Sequence, residues 1–257
     1  MAIYDGKNFK GSIGNVSFRK NGAVTVVQQN PGKGNVKQTA ATKRTASRFG
    51  KIISPLAKHI RIAFREPVMG FYDGSMVNRM NSAISIIINQ HLVSPDSYQF
   101  NEESFSRLND FDFNLNSLLN RYLLIKPSLN VTNSSIKIEL AKFDVSTNVK
   151  FPKLFNDCQI QFTIGMFCLR NGLWTTKKMD LDPIVKGQGM SRAQTFECNL
   201  QSGILYIAVV SLVYTTWNNN RANHKTFHPC GIIGSYMHQG LSEREELKNW
   251  LNMDVKL

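Results

Sequence analysis

Near its N-terminus the chain has two short runs in which apolar and polar residues alternate, SIGNVSFRK and AVTVVQQ. Together they indicate a β-hairpin. Asn21-Gly22 stands between them, and this dipeptide favours a type I′ turn because both central residues of that turn need positive φ. Such a turn pairs Phe18 with Thr25 and Val16 with Val27. Neither face is purely polar, and a lone two-stranded hairpin is only marginally stable. We therefore expect the hairpin to dock on its own chain, a neighbouring subunit or a ligand.

A linker and then a long amphipathic helix are predicted after the hairpin. Residues 30–38 (NPGKGNVKQ) contain one proline, two glycines and almost no apolar residue, which is typical of an extended arm. Thr39 or Thr42 is a candidate N-cap of the helix. Gly50 and Pro55 predict either one kinked helix or two helices in tandem.

The predicted helix has two different faces at about 100° per residue. One face carries an apolar stripe suited to a core: Phe49, Ile53, Leu56, Ile60, Ala63 and Phe64. The opposite side carries basic residues, most of them seven positions apart: Arg44, Arg48, Lys51, Lys58 and Arg65. Phosphate binding requires lysines and arginines on one accessible surface, and this side meets that condition. Because the nearby aromatic residues point to the apolar stripe, contacts with nucleic acid are expected to be electrostatic rather than base-reading.

A second helix is predicted over residues 74–91, and we expect it to pack on the apolar stripe as a helical pair. Its apolar positions recur at intervals of three and four: Val77, Met80, Ile84, Ile87 and His91. Residues 93–120 contain several aromatic side chains that indicate packing, but neither the helical nor the strand period dominates there.

From about residue 121 the pattern changes to short β-branched and aromatic runs separated by Asn, Gly, Pro and Asp. Seven such runs are present: YLLIK, SIKIELAKFDV, CQIQFTIGMFCL, GLWTTKKM, AQTFECNL, ILYIAVVSLVYTTW and CGIIGSYM. Seven runs at turn-limited spacing are typical of an immunoglobulin-like antiparallel β-sandwich. In the last segment, LSEREELKNWL, Ser242 and Glu245 occupy capping-box positions, which predicts a short C-terminal helix.

The predicted fold class is therefore α+β. A basic hairpin arm and linker occupy residues 1–38, a mostly helical segment occupies 39–120, and a β-sandwich with a C-terminal helix occupies 121–257.

Positive charge is concentrated in the N-terminal quarter of the chain. The formal net charge is +13, and residues 1–65 hold thirteen lysines and arginines against a single acid, Asp5, a net of +12. The other 192 residues hold eighteen basic and seventeen acidic side chains. A nearly neutral body with a basic N-terminal quarter indicates an acidic partner for that quarter, either nucleic acid or an acidic protein surface.

The cysteines and the apolar runs predict a soluble protein in a reducing compartment. Cys158, Cys168, Cys198 and Cys230 include no Cys-x-x-Cys pair and indicate reduced, mostly buried thiols rather than a disulfide framework. The opening MAIYDGKNFKGS lacks the apolar core of a signal peptide. The longest apolar run, ILYIAVV, is far shorter than the roughly 20 residues of a membrane span. We expect a cytoplasmic location, or a virion if the protein is phage-encoded, without membrane association.

No enzymatic site is predicted. GKGNVKQT lacks the spacing of a Walker loop, and no Gly-x-Ser-x-Gly motif is present. His224, His228 and Cys230 lie within seven residues, but a closed zinc site needs a fourth ligand, so an ordinary hairpin with Cys230 in the core is expected. Asp180 and Asp182 share the solvent side of a predicted strand. We therefore expect no catalytic residue, no metal and no cofactor.

The N-terminal quarter carries a series of short motifs: Gly11-Ser12-Ile13-Gly14-Asn15-Val16-Ser17-Phe18-Arg19, then Asn21-Gly22 with a valine strand, then KQTAATKRTASRFG. In these motifs the chain resembles a family of uncharacterised bacterial and phage-associated proteins. Those proteins open with a Gly-x-x-Gly-Asn-Val hairpin, continue through a proline-containing linker into a Thr/Gln/Arg-rich helix, and end in an immunoglobulin-like β domain. The resemblance covers residues 11–65 in its motifs. It implies an arm, a helical pair and a β-sandwich, as in proteins that assemble, and supplies no catalytic residue.

Two functions are consistent with these patterns. The first is a non-enzymatic structural or assembly protein, such as a virion or other multi-subunit component, that forms a homo-oligomer or joins other subunits through its arm. The residues expected to make the subunit contact are Val16, Phe18, Asn21, Gly22, Val24 and Val26.

The second function is sequence-tolerant binding of nucleic acid. The basic surface that would contact phosphates, or an acidic protein partner, comprises Arg19, Lys20, Lys33, Lys37, Lys43, Arg44, Arg48, Lys51, Lys58 and Arg65. A third reading, binding of carbohydrate or peptide on the loops of the sandwich, is supported by Trp174, Trp217 and the segment NNNRANH.

Overall fold

The computed structural model describes residues 2–21, 24–30, 38–95, 97–153, 155–216, 222–242 and 247–257. Within these residues the protein combines helices with several antiparallel sheets, which confirms a mixed α and β fold. The chain forms two compact units, Met1–Ser47 and Arg48–Leu257.

The N-terminal unit is built on a four-stranded antiparallel sheet rather than on an isolated hairpin. Its strands follow each other in chain order: β1 (Ile3–Tyr4), β2 (Phe9–Ile13), β3 (Val16–Asn21) and β4 (Val24–Gln29). Helix α1 (Ala40–Arg48) begins in this unit and contains no buried residue. Two further strands beside the predicted hairpin supply the pairing that a two-stranded hairpin lacks.

The β3–β4 hairpin has a register that differs by two residues from the prediction. Asn21 pairs with Val24, so Asn21 belongs to the ladder and not to the turn. Phe18 pairs with Val27 rather than with Thr25. The observed register is favoured because it places an apolar side chain directly opposite an aromatic one. A shift of two residues leaves every side chain on its predicted face.

The second unit contains the remaining elements. Its helices are α2 (Ser54–Ala63), α3 (Arg65–Val68), α4 (Met76–Gln90), α5 (Leu119–Tyr122) and α6 (Val145–Asn148), with a π-helical turn at Phe49–Ile53 and a 3₁₀ turn at Ser106–Leu108. Its strands are β5 (Leu92–Ser94), β6 (Ser97–Tyr98), β7 (Phe111–Asp112), β8 (Ser128–Val131), β9 (Ser135–Leu140), β10 (Asp157–Cys168), β11 (Leu173–Asp180), β12 (Ile184–Val185), β13 (Gln194–Asn199), β14 (Leu205–Thr215), β15 (Cys230–Met237) and β16 (Leu251–Asn252).

A large antiparallel sheet forms the middle layer of the second unit. Its strand order is β16-β11-β10-β14-β15-β7, with β12 beside β10, and a smaller sheet has the order β13-β9-β8. Tyr206 and Val210 of β14 belong to a core shared with Ile138 of the smaller sheet. Leu205 and Val209 point the other way, into a core shared with α2 and α4. The run ILYIAVV is continuously apolar because β14 is covered on both faces.

The apolar stripe of the first predicted helix is confirmed from Ile53 onward, and α2 packs against α4 as predicted. Phe49 is an exception, because its side chain is 42% exposed. The π-helical turn Phe49–Ile53 explains the difference, since it adds one residue to a turn and shifts the phase of the 3.6-residue repeat. Pro55, which lacks a backbone N–H, lies two residues after the end of that turn, in the first turn of α2.

Six of the seven predicted β runs are strands, namely β9, β10, β11, β13, β14 and β15, but YLLIK is not. Only the first residue of that run, Tyr122, lies in the short helix α5, whose Leu119 N–H donates to Asp112 Oδ1 at 2.8 Å. Leu123 forms an isolated bridge with Val149, so the run is divided between the end of a helix and a loop.

The end of the predicted C-terminal helix is a strand in the structure. Leu251–Asn252 forms β16, which pairs with Leu173 and Trp174 at the edge of the large sheet. The capping position Ser242 is described, whereas Glu245 lies outside the described residues.

Candidate interaction surfaces

One face of the N-terminal sheet carries a contiguous group of apolar side chains, here called the aromatic face. The rings of Tyr4 and Phe9 have centroids 4.9 Å apart, and those of Phe9 and Phe18 are 5.6 Å apart. The strand register places further apolar side chains on the same side, so that the aromatic face comprises Tyr4, Phe9, Ile13, Val16, Phe18 and Val27.

The aromatic face is open to solvent. Tyr4, Phe9, Ile13 and Val27 are between 45% and 58% exposed. No described residue of the Met1–Ser47 unit is buried. A contiguous exposed apolar surface with polar residues around it is typical of a site that another molecule covers.

The opposite face of the sheet is mixed in character. Lys10, Ser17 and Arg19 lie there beside Val24 and Val26. Lys20 is the one lysine or arginine of β2–β4 on the aromatic face, so most of the charge of the sheet points away from that face.

Asp5 is the single acid of the N-terminal unit, and its interactions are local. Its carboxylate accepts backbone N–H groups from Asn8 and Lys7 and pairs with Lys10 Nζ at 3.1 Å. The hydrogen bond from Asn8 and the contact with Lys10 lower the pKa of Asp5 to about 2. Asp5 therefore offsets one lysine and leaves the other described basic side chains of the unit without an acidic partner inside it.

The subunit-contact residues predicted from the sequence divide between the two faces. Val16 and Phe18 lie on the aromatic face, Val24 and Val26 lie on the opposite face, and Asn21 is a ladder residue. Gly22 lies outside the described residues.

Sequence reasoning missed Tyr4, Phe9 and Ile13, which complete the aromatic face. The period-two spacing of Phe9, Gly11 and Ile13 and the turn residues Asp5-Gly6 and Gly14-Asn15 are the signals that identify β1 and β2.

The predicted basic residues of the N-terminal unit are exposed where they are described. Arg19, Lys20, Lys43 and Arg44 form no ion pair with any residue that the structure describes. Lys33 and Lys37 lie outside the described residues.

In the second unit, part of the predicted basic surface is already paired within the chain. Arg48 Nη1 donates to Asn89 Oδ1 at 2.7 Å. Lys58 Nζ pairs with Asp254 Oδ2 at 2.8 Å, and this contact is the largest cause of the lowered pKa of Asp254. Lys58 is therefore less available to an external anion than its spacing suggests, whereas Lys51 and Arg65 are exposed.

Among the described residues, no group of His, Cys, Asp or Glu has an arrangement that could hold a metal ion. His228 and Cys230 are fully buried, and His224 is exposed and bonds Thr226. All four cysteines are free and buried, as predicted. Burial raises the pKa of the Cys158 and Cys230 thiols, which keeps them protonated.

Trp174 is buried and stacks on Phe167 with ring centroids 6.4 Å apart, so little of its indole is exposed to solvent. Trp217 and most of the neighbouring Asn-rich segment lie outside the described residues.

Within the described residues, no helix combines the length and apolar character needed to cross a membrane. Comparison of the chain with protein-family models, with curated proteins and with solved structures finds no match.

Proposed function

We propose that this protein is a non-enzymatic assembly component that joins copies of itself through the N-terminal sheet. The observation that carries the proposal is the exposed aromatic face. A sheet gains stability when its hydrophobic face is covered, and no residue of the N-terminal unit that the structure describes is buried.

A second copy of the same sheet is the occupant that the apolar character of the aromatic face favours. Two aromatic faces packed against each other bury apolar groups on both sides, as in an isologous two-fold interface. Lys10 and Arg19 lie on the opposite face and would stay in solvent, so Lys20 is the one basic side chain of β2–β4 on the side of the contact.

The test uses two valines of strand β4 that lie on opposite faces. Val27 is 58% exposed on the aromatic face, and Val24 is 65% exposed on the other face. We expect Val27→Lys to convert the oligomer to monomer in multi-angle light scattering, because a buried unpaired ammonium opposes association. Val24→Lys should leave the mass unchanged.

If the unsubstituted chain is monomeric at high concentration, the aromatic face is not a self-association surface. The same conclusion follows if the Val27→Lys and Val24→Lys substitutions change the mass equally. A version lacking residues 1–38 provides a second control, since it should be monomeric if the sheet is the connector.

A second candidate function, sequence-tolerant binding of nucleic acid, is favoured by the uncompensated basic residues. Arg19, Lys20, Lys43 and Arg44 are exposed and make no ion pair with the described part of the chain. Phosphates neutralised by such side chains release counterions, so binding depends strongly on salt.

Binding of a short DNA duplex is therefore expected to weaken by at least about tenfold between 50 and 200 mM salt. Fluorescence anisotropy with two unrelated duplex sequences measures both the salt slope and the sequence tolerance. Salt-independent binding, or no binding at the lower salt, contradicts this second function.

The same proposal includes a cytoplasmic or virion location and an immunoglobulin-like sandwich for the C-terminal region, both of which stay predictions. A phage-encoded structural component accommodates both candidate functions, since its sheet would join subunits while its basic residues face packaged nucleic acid.

A further inference from the structure

A cavity of about 360 Å³ lies beside helix α2 in the second unit, apart from the N-terminal sheet. Three basic residues line it, Lys58, Arg61 and Arg65. They are spaced three and four positions apart, which places them on one side of the helical run. The volume falls within the range typical of small-molecule sites.

Two of these cations have no carboxylate partner in the part of the chain that the structure describes. Lys58 is paired with Asp254, but neither Arg61 nor Arg65 forms an ion pair with any described residue. Arg61 Nη1 has a single long hydrogen bond, 3.5 Å, to the Asn81 amide oxygen. Partial burial lowers the pKa of Arg61, so its guanidinium has lost part of its hydration without gaining an anion.

The rest of the lining is apolar or aromatic. Val68, Met76 and Phe113 are buried and form a non-polar floor. Val77 is half-buried at the side, and the ring of Tyr72 is exposed at the cavity. A ligand in this cavity therefore needs an anionic group for the arginines and an apolar or aromatic body for the floor.

We propose that the cavity beside α2 binds a phosphate monoester attached to an aromatic or apolar group. Two unpaired guanidiniums match the two negative charges of a phosphate monoester, whereas a carboxylate supplies only one. This proposal goes beyond the assembly function, because the cavity lies wholly in the Arg48–Leu257 unit and does not involve the aromatic face.

Phenyl phosphate is the first probe, and isothermal titration calorimetry on the full chain is the measurement. Arg61→Gln and Arg65→Gln are each expected to weaken binding about tenfold or more, since each removes a charge-assisted contact. Arg107→Gln, at an exposed arginine of the 3₁₀ turn, is the matched control and should bind as the unchanged chain does. Thermal melting of each variant checks that the fold is retained.

Inorganic phosphate and benzoate separate the two parts of the proposal. Inorganic phosphate lacks the apolar body and benzoate lacks the second charge, so both should bind more weakly than phenyl phosphate. The site is overturned if phenyl phosphate does not bind, if it binds equally to Arg61→Gln and Arg107→Gln, or if inorganic phosphate binds as tightly.

Two sources of this chemistry are distinguished by a further pair of probes. Adenosine monophosphate represents a free nucleotide, and a short single strand with or without its 5′ phosphate represents a nucleic-acid end. Preference for either one, lost in Arg61→Gln, supports the site and identifies its source. The proposal is overturned if the single-stranded nucleic acid binds equally well without its 5′ phosphate and adenosine monophosphate does not bind.

Discussion

Replacing Phe64 with alanine is expected to lower the free energy of unfolding by about 3–5 kcal/mol. Phe64 is fully buried at the end of α2, where its ring lies 6.2 Å from that of Phe113 and 6.5 Å from that of Phe167 of the large sheet. The side chain thus joins the helical layer to the sheet, and its loss leaves a cavity between them. Chemical denaturation of the full chain measures the effect.

The matched control is Phe49→Ala on the same helical run. Phe49 is 42% exposed, so its truncation should cost less than about 1 kcal/mol. A similar cost for both phenylalanines contradicts the position of the helical layer on the sheet.

The contact between Phe64 and strand β10 adds a second readout of the same interface. A Cβ atom at Gly165 would lie 2.7 Å from Phe64 Cζ and 2.8 Å from Phe167 Cε2. The two rings can pack this close to the strand because Gly165 has no side chain. Gly165→Ala should cost about 1–3 kcal/mol through overpacking. In the Phe64→Ala background that cost should be smaller, with a coupling of at least about 0.5 kcal/mol in a double-mutant cycle.

The sequence predicted best those elements whose pattern reflects burial directly. The stripe from Ile53 to Phe64 and the alternation or continuity of six β runs correspond to faces that the folded protein buries. Each of these predictions depends on the spacing of apolar residues within one element, and that information is local.

The features that could not be predicted depend on contacts that each element makes with residues outside it. Helix α5 forms where its N-terminal N–H reaches the Asp112 carboxylate, and β16 forms where Leu251 reaches Trp174. No local pattern encodes either contact. Similarly, the β3–β4 register is determined by which pairs meet across the whole four-stranded sheet, and the local Asn21-Gly22 signal favours another turn.

The candidate interaction surfaces were likewise predicted only in part. Val16 and Phe18 were identified from the hairpin pattern, but the aromatic face also needs Tyr4 and Phe9. Tyr4 lies on the two-residue strand β1, and the period-two signal of β2 depends on only two apolar residues, Phe9 and Ile13. The seven-residue spacing of the basic residues omitted Arg61, because spacing does not show which arginine lines a cavity. The ion pair between Lys58 and Asp254, which are far apart in the sequence, could likewise not be predicted from residue spacing.

His228 shows why a sequence cluster of His and Cys need not be a ligand set. Its Nε2–H donates to the Pro67 carbonyl at 2.6 Å, and its Nδ1 accepts a hydrogen bond from Asn223 Nδ2 at 2.8 Å. The Asn223 amide also binds the backbone of Leu212 and Tyr214. Both imidazole nitrogens are therefore used in connecting β14 and α3, and neither is open to a metal.

Replacing His228 with phenylalanine is expected to lower the free energy of unfolding by about 2–5 kcal/mol. The substitution keeps a ring in place but leaves the Pro67 carbonyl and the Asn223 amide buried without this partner, at about 1–3 kcal/mol each. His224→Phe is the control, because His224 is exposed and lies four residues away in the same segment.

The same histidine should make stability depend on pH. Burial lowers the pKa of His228 from its ordinary value of 6.5, although the bond to Pro67 acts in the opposite direction. The unfolded chain therefore takes up a proton near pH 6.5 while the folded chain remains neutral, so the stabilising contribution is complete above that pH and is lost as the pH falls below it, down to the folded pKa. Denaturation at pH 7.5 and 5.5 should show this loss in the unchanged chain and in His224→Phe, and a smaller loss in His228→Phe. An equal loss in all three proteins assigns the pH dependence to other groups.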